Sequence, residues 1–407
     1  MRILYLCHRV PYPPNKGEKI RAFHQIRAIA QRHEVDLFTL ADDPADLAHA
    51  GAMSEYCREV TAIPLNPKLA RARALPFLLT PKPITLPYFY SRRLDRAIRN
   101  AMARRSYDRI FVYCSAMAQY VESIENIPVI MDMVDVDSDK WLQYAEVSGG
   151  VKAAIYRREG RSYREYERRI SAKFPSVLVT TEREAELIQN FCPEANVHVI
   201  TNGVDTDYFN PQSKIRESIA PAIVFTGDMG YFPNEAAVIY FARNVLPSIQ
   251  GVCPDVRFLI VGRNPTRNVR ELQNIAGVEV TGFVPDVRTY LAQAQVSVAP
   301  FSMAMGIQNK ILEAMAFGLP VVATSRAVQG LSSKVRTAID VADAAGDMAA
   351  TVVRLLRDPE EAHRKGLAGR RVVSTEYTWN RSLDQVMNLL EYPEQTSVAI
   401  TAAGAHR

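Results

Sequence analysis

A lysine and a glutamate, Lys310 and Glu313, stand three positions apart at the head of the segment PFSMAMGIQNKILEAMAFGLPVV, residues 300–322. On a helix that spacing puts both side chains on one face, one turn apart. A cation that can meet phosphate and a carboxylate that can accept from a pair of hydroxyls suit a sugar nucleotide. The flanking pattern supplies the element that would position them. Val296 and Val298 end an apolar strand, a small-residue loop passes through Gly306, and Ile311, Leu312, Met315 and Ala316 recur at helical spacing until Gly318 and Pro320 stop the run. A further apolar strand follows at 321–323, so the stretch reads as strand, loop, helix and strand of a parallel sheet. The loop of such a unit lies at the carboxyl edge of the sheet, where unpaired helix N–H groups favour an anion. Gly306, Ile307, Gln308 and Asn309 belong to it, and Lys310 occupies the first turn, which the helix dipole disfavours for a cation unless an external anion is present. The same residues fit an amphipathic helix with a solvated Lys–Glu pair, and the stretch alone leaves both readings open.

Two other places carry chemistry-bearing residues. A short strand at 128–131 runs into DMVDVDSDKW, where Asp132, Asp135, Asp137 and Asp139 form either a functional rim or a set of turn and N-cap residues. Near the start, the strand at 2–7 leads through HRVPYPPNKGEKIR to a helix whose Phe23, Ile26, Ile29 and Ala30 face a core. Gly17 there permits close approach of a ligand, and Lys16, Lys19 and Arg21 could meet its charge; a plain surface loop fits the same residues.

At 407 residues the chain exceeds one usual core, so two domains are expected. Strands at 34–40, 108–113, 128–131, 176–180 and 196–200 complete a first α/β unit. After TNGVDTDYFNP and a linker rich in Lys, Arg, Glu and Ser, the pattern restarts with AIVFTGDMGYFPNEAAVIYF, then VRFLIVGRNP and VEVTGFVPDVRTYLAQAQVSVAP. The fold class is therefore α/β with two doubly wound units, 1–205 and 206–378, a last helix at 379–391 and a tail at 393–407. A net charge of +5 without a nucleic-acid reader motif speaks against nucleic acid and for phosphorylated ligands or an anionic surface. The odd, scattered cysteines Cys7, Cys57, Cys114, Cys192 and Cys253 suggest neither a disulfide framework nor a zinc site, and a reducing cytoplasm suits them. The opening MRILYLCHRVPYPP is too short in apolar residues for a signal peptide, and no later run reaches spanning length. Basic segments at 68–109, with Phe77, Leu78, Tyr88 and Phe89 interleaved, and at 152–173 suit peripheral contact with an anionic membrane surface on its cytoplasmic side; solvated helices with ordinary core stripes fit them equally.

Taken together, these motifs resemble the retaining GT-B glycosyltransferases of glycosyltransferase family 4, over nearly the whole chain to about Leu390. NGVDTDYF at 202–209 is similar to that family's domain junction. FTGDMGYFPN, VGRNP and TGFVPD are similar to the first three strand-end loops of its donor domain, which contribute Gly227, Arg263 and Val284, and LEAMAFGLPVV to the helix whose glutamate, here Glu313, holds the nucleotide ribose. More narrowly, HRVPYPPNKGEKIR, MDMVDVDSDKW and GIQNKILEAMA resemble the sugar transferases of exosortase (PEP-CTERM) exopolysaccharide systems. The resemblance implies two Rossmann-like domains facing a central cleft, the last helix crossing back onto the first domain, and a sugar moved with retention and without a metal. The donor would be a nucleotide diphosphate sugar, with no other cofactor, and the acceptor a lipid-linked or cell-surface glycan.

Three features depart from the family pattern. Counting back eight from Glu313 gives Met305 where a second glutamate is usual. The arginine and lysine that commonly follow the first donor strand are replaced by Asp228, Met229, Gly230 and Tyr231, which leaves Lys310 as the best-placed cation. The catalytic-face histidine is matched by Val134, with Asp135 beside it, so Asp135 and Lys310 are the catalytic candidates and Asp132, Asp137 and Lys16 stand on the acceptor side. The loss at position 305 keeps two alternatives open, a GT-B sugar-nucleotide epimerase and a non-catalytic nucleotide-sugar-binding partner.

Overall fold

The computed structural model describes residues 1–14, 17–211, 220–303 and 306–392; Lys16, Met305 and the tail at 393–407 lie outside them. The chain divides into two compact units, one of Met1–Thr201 together with the chain from Ser382, the other of Asn202–Arg381.

The first unit holds an all-parallel sheet of β1 (Arg2–Cys7), β2 (Glu34–Ala41), β3 (Glu59–Pro64), β4 (Arg109–Tyr113), β5 (Val129–Val134), β6 (Ser176–Val179) and β7 (Val197–Val199). Their order is β3-β2-β1-β4-β5-β6-β7. Its central strands are buried along nearly their whole length, as a sheet covered by helices on both faces requires. Alternation then divides β1 between two cores: Leu4 and Leu6 pack with Phe38, Val112 and Ile170, while Ile3 and Tyr5 pack with Ile26, Phe111 and Ile130. Val386, Met387, Leu389 and Leu390 of the last helix, Trp379–Glu391, join the second of these cores.

The second unit holds β8 (Ala222–Thr226), β9 (Arg257–Val261), β10 (Val278–Gly282), β11 (Val296–Ala299), β12 (Val321–Ala323) and β13 (Asp340–Val341), parallel throughout and ordered β10-β9-β8-β11-β12-β13. Strand order reverses between β1 and β4 in one sheet and between β8 and β11 in the other. A doubly wound sheet opens a crevice for ligand at the carboxyl ends of such a strand pair.

The sequence pattern names neither β3 nor β13. Both are edge strands, and β3 (EVTAIP) is only half-buried, so its apolar residues do not form the continuous run that marks a central strand. The acidic segment opens the helix Asp137–Glu146, whose first turn holds Asp137 and Asp139, an arrangement that favours the helix dipole. This helix pairs with the long helix Gly150–Lys173.

Candidate active site

In the second unit the helix Asn309–Ala316 begins beyond β11, with Gln308 at its N-cap and no side chain closing the cap. Gly306 has a φ of 56°, the left-handed region that costs a glycine little, and it turns the chain into the helix. Ile307 is buried, and Asn309 Oδ1 accepts from Asn202 Nδ2 at 3.1 Å. The Lys310 ammonium donates to Asn234 Oδ1 at 2.6 Å and lies 5.0 Å from the Phe225 ring centroid and 4.6 Å from that of Phe301. Phe225 belongs to β8 and Phe301 follows β11, so Lys310 is held at the point where strand order reverses. No ion pair closes between Lys310 and Glu313 among the described residues, so the solvated surface pair is not what forms. Burial pushes the Lys310 ammonium down to about 7 against the pull of Glu313, and pushes the Glu313 carboxyl up to about 7 against that of Lys310.

The loops beside it are tightly built. A Cβ on Gly262 would collide with the Gly227 carbonyl, and one on Gly227 would stand 2.8 Å from Asn234 Nδ2 and 3.4 Å from Lys310 Cε. The two strand-end loops therefore touch through backbone alone, with Gly227 N donating to Val261 O at 2.9 Å. Asp228 accepts from Arg263 Nε at 3.0 Å and from Asn264 Nδ2 at 3.2 Å. Arg263 thus spends charge on a neighbouring carboxylate. Val284 follows β10 and packs half-buried against the core. Asn234 escapes the sequence reading; its signal is the Pro233–Asn234 pair opening the helix Phe232–Tyr240 directly after a glycine loop.

In the first unit the acidic residues separate by role. Asp132 is fully buried and accepts from Arg21 Nε at 2.7 Å, from Gln25 Nε2 at 2.5 Å and from Val134 N at 3.0 Å. The acceptor-side expectation for Asp132 gives way to an internal ion pair, since no oxygen of it is left for a substrate. Arg21 and Lys19 are likewise internal: Arg21 also donates to Ile200 O at 2.9 Å, and buried Lys19 meets Asp46 at 2.5 Å. Gly17 begins the helix Gly17–Ala30 that carries both.

Beyond Asp132 the chain makes an unusual turn. Val134 has a φ of 67°, costly for a β-branched residue, and Asp135 N donates to Met133 O at 2.8 Å. This tight turn lifts Asp135 off the end of β5. Asp137 sits one step on, 3.5 Å from Ser115 Oγ and 3.9 Å from Lys140 Nζ. Burial raises its carboxyl above the usual range, Lys140 opposes that, and Asp135 adds to it. Asp139 is occupied by Arg183 at 3.0 Å and Gln143 at 2.7 Å.

The basic segments are partly structural as well. Tyr88 and Phe89 pack against the core, and Arg73 donates to Pro87 O at 2.8 Å and Tyr88 O at 3.2 Å. In and next to these segments the exposed apolar residues include Leu79 at 94%, Val151 at 78%, Leu69 at 69% and Leu75 at 60%. Arg158 ties the 77–82 loop to the long helix by donating to Phe77 O and Lys82 O at 2.7 Å and to Thr80 O. Thr80 and Pro81 then border one groove with Ala154, Arg157 and Arg161. No helix of the described residues is long and apolar enough to cross a membrane, and no cluster of His, Cys, Asp or Glu among them could hold a metal ion.

Known proteins share both units. Residues 17–203 match the family model described as glycosyl transferase 4-like domain, and 220–358 that described as glycosyl transferases group 1. The MMP alpha-(1->4)-mannosyltransferase of Mycolicibacterium hassiacum is 28% identical over 243 residues, 56% of this chain and 56% of that protein, so the chain spans little more than half of this curated relative. Among solved structures, sucrose-phosphate synthase from Thermosynechococcus elongatus superposes with a TM-score of 0.72 at 18% identity, over 96% of this chain and 98% of that one. Anabaena Alr3699/HepE in complex with UDP and glucose does so at 0.69 and 16%, over 96% and 99%. The fold is GT-B, and the chain belongs to the glycosyltransferases that join a 4-like domain to a group 1 domain.

Proposed function

We propose that this protein transfers a sugar from a nucleotide diphosphate donor to a hydroxyl of a lipid-linked or cell-surface glycan in exopolysaccharide synthesis, with retention of configuration. The observation that carries the reading is the Lys310 ammonium held between two aromatic rings at the start of a helix, one turn from Glu313. As the glycosidic bond breaks, negative charge builds on the departing diphosphate. A fixed cation and helix N–H groups meet it without having to reorganise. Glu313, whose carboxylate accepts no hydrogen bond among the described residues, is assigned to the ribose hydroxyls, and Asp135 to the acceptor hydroxyl. The likeness to a mannosyltransferase and to a structure in complex with UDP and glucose supports a hexose nucleotide as donor. The exosortase-linked setting rests on the motifs quoted above.

Lipid contact is part of the same proposal. Leu79 and Val151 are among the most exposed apolar side chains, and Arg157 and Arg161 border the groove beside Thr80 and Pro81, with no ion pair formed by either arginine among the described residues. Exposed apolar residues on segments that also carry exposed cations suit an anionic bilayer surface.

The test is steady-state release of nucleoside diphosphate from UDP-glucose and GDP-mannose, with and without a polyprenyl phosphate acceptor. Lys310→Ala should lower kcat by roughly 10²–10³-fold with a smaller loss of donor affinity. Normal turnover in that variant beside a dead Arg263→Ala would overturn the assignment of Lys310. Epimerised donor without transfer would favour the epimerase alternative, and binding without any turnover the non-catalytic one.

A further inference from the structure

Glu184 is a buried carboxyl that the reading above does not use. It opens a turn of the helix Glu182–Phe191, which starts just beyond β6, and only 2% of it is exposed. Its Oε2 accepts from Thr180 Oγ1 at 2.9 Å and from Thr181 Oγ1 at 3.1 Å. The Asp135 carboxyl, just past the end of β5 where Val134 O accepts from Thr180 N, lies within hydrogen-bonding reach of it. Two carboxyl groups in contact can share a hydrogen bond only if one of them keeps its proton. The burial of Glu184, with both threonine hydroxyls on a single oxygen, leaves the other to carry that proton toward Asp135.

We propose that Glu184 is a positioning residue of the acceptor side, a neutral carboxylic acid that donates its proton in a hydrogen bond to Asp135. The proposal rests on the assignment of Asp135 to the acceptor hydroxyl. One Asp135 oxygen is then fixed by Glu184, and the other is assigned to the acceptor hydroxyl. The strained turn at Val134 holds the backbone that carries it, and Thr180 N braces that turn by donating to Val134 O at 3.2 Å. Before reaction the pair carries one proton and one negative charge. When the acceptor hydroxyl gives up its proton as the new glycosidic bond forms, Asp135 receives it on that second oxygen, and the neutral pair later returns it to water.

The surroundings favour the neutral form. Burial acts first and the charge of Asp135 second, and together they hold the Glu184 carboxyl well above the usual range against the two threonine hydroxyls. Asp135 is the charged group that faces it. Asp139 nearby is taken by Arg183 at 3.0 Å and Arg164 at 4.0 Å, and Asp137 by Lys140 at 3.9 Å. An acid whose folded value is raised binds more protons in the folded state above its unfolded value of about 4.3, so stability declines as pH rises through that window.

Carbon-13 titration of side-chain carboxyls in the glutamate-labelled full chain tests the pair without any substrate. A signal that stays protonated well above the ordinary range should disappear in Glu184→Gln, and that variant should melt higher than wild type at pH 8 but not at pH 4. An unchanged set of high-titrating signals in Glu184→Gln would overturn the proposal. Release of nucleoside diphosphate from UDP-glucose or GDP-mannose gives a second readout. The wild-type rate should fall at alkaline pH as Glu184 loses its proton; glutamine keeps an N–H for Asp135 and should rescue kcat without that fall, whereas Glu184→Ala should lower kcat about 10- to 100-fold at unchanged donor KM. A glutamine variant as slow as the alanine one would also overturn it. Full activity of Asp135→Asn would remove the acceptor assignment alone, because the titration stands apart from turnover.

Discussion

Donor binding should move protons, and in opposite directions on the two sides of neutrality. Lys310 is pushed down to about 7 and Glu313 up to about 7 in the unoccupied site. A diphosphate ester needs Lys310 charged and a ribose diol needs Glu313 ionised. At pH 8, one unit above both values, Lys310 is about nine-tenths neutral and Glu313 about nine-tenths ionised. Binding then takes up about 0.9 of a proton at the lysine and releases about 0.1 from the glutamate, a net uptake of about 0.8. At pH 6 the same arithmetic gives a net release of about 0.8, with the crossing near 7. A nucleotide sugar is the right probe, because its diphosphate is doubly esterified and does not titrate here. Calorimetric titration of UDP-glucose or GDP-mannose in buffers of different ionisation enthalpy reads the number directly. Affinity should accordingly fall by about 0.8 log units per pH unit near pH 8. Lys310→Met should abolish the uptake at pH 8, and Glu313→Gln the release at pH 6. A buffer-independent enthalpy at both pH values, or uptake that survives in Lys310→Met, would refute the reasoning.

Glu313→Ala should weaken nucleotide-sugar binding by about 1.5–3 kcal/mol, the range for a charged hydrogen bond, as read by the same calorimetry. In Asp135→Asn, transfer should slow while donor Kd is unchanged, measured by product release beside binding; wild-type turnover would shift the role to Asp137. Sedimentation with phosphatidylglycerol vesicles should exceed that with phosphatidylcholine, decline with salt and weaken in Leu79→Ser, each nearby cation contributing about 1 kcal/mol before screening. Equal sedimentation with both vesicle types would mark the basic faces as ordinary solvated ones.

The fold was legible because parallel strands buried on both faces are written as unbroken apolar runs, and the restart after residue 220 repeats the pattern of the first unit. What was not legible depended on contacts distant in sequence. Asp132 and Asp135 look alike in MDMVDVDSDKW, and only the arrival of Arg21 and Gln25 from another helix makes the first an internal anion. Tyr88 and Phe89 look like interfacial aromatics beside arginines, yet they close the core while Leu79 and Val151 emerge. Glu184 was hidden by its own local grammar. Thr181 and Glu184 are spaced as a helix capping box, and Thr181 Oγ1 does cap the Glu184 N–H at 3.3 Å, but the carboxyl faces Asp135.

With Asp228 at the end of β8, the loop that would otherwise present cations carries an anion, which would repel a diphosphate if left alone. Arg263 pairs with it at 3.0 Å, so the two loops together add no net charge. Beside them Lys310 lies against Phe225 and Phe301, where burial lowers its ammonium to about 7. Near neutral pH the empty pocket therefore holds Lys310 only partly charged, and an anion that enters draws it fully into the cationic form. On the proposed reading that interaction strengthens as the diphosphate gains charge on leaving, so Lys310 should help the transition state more than the ground state.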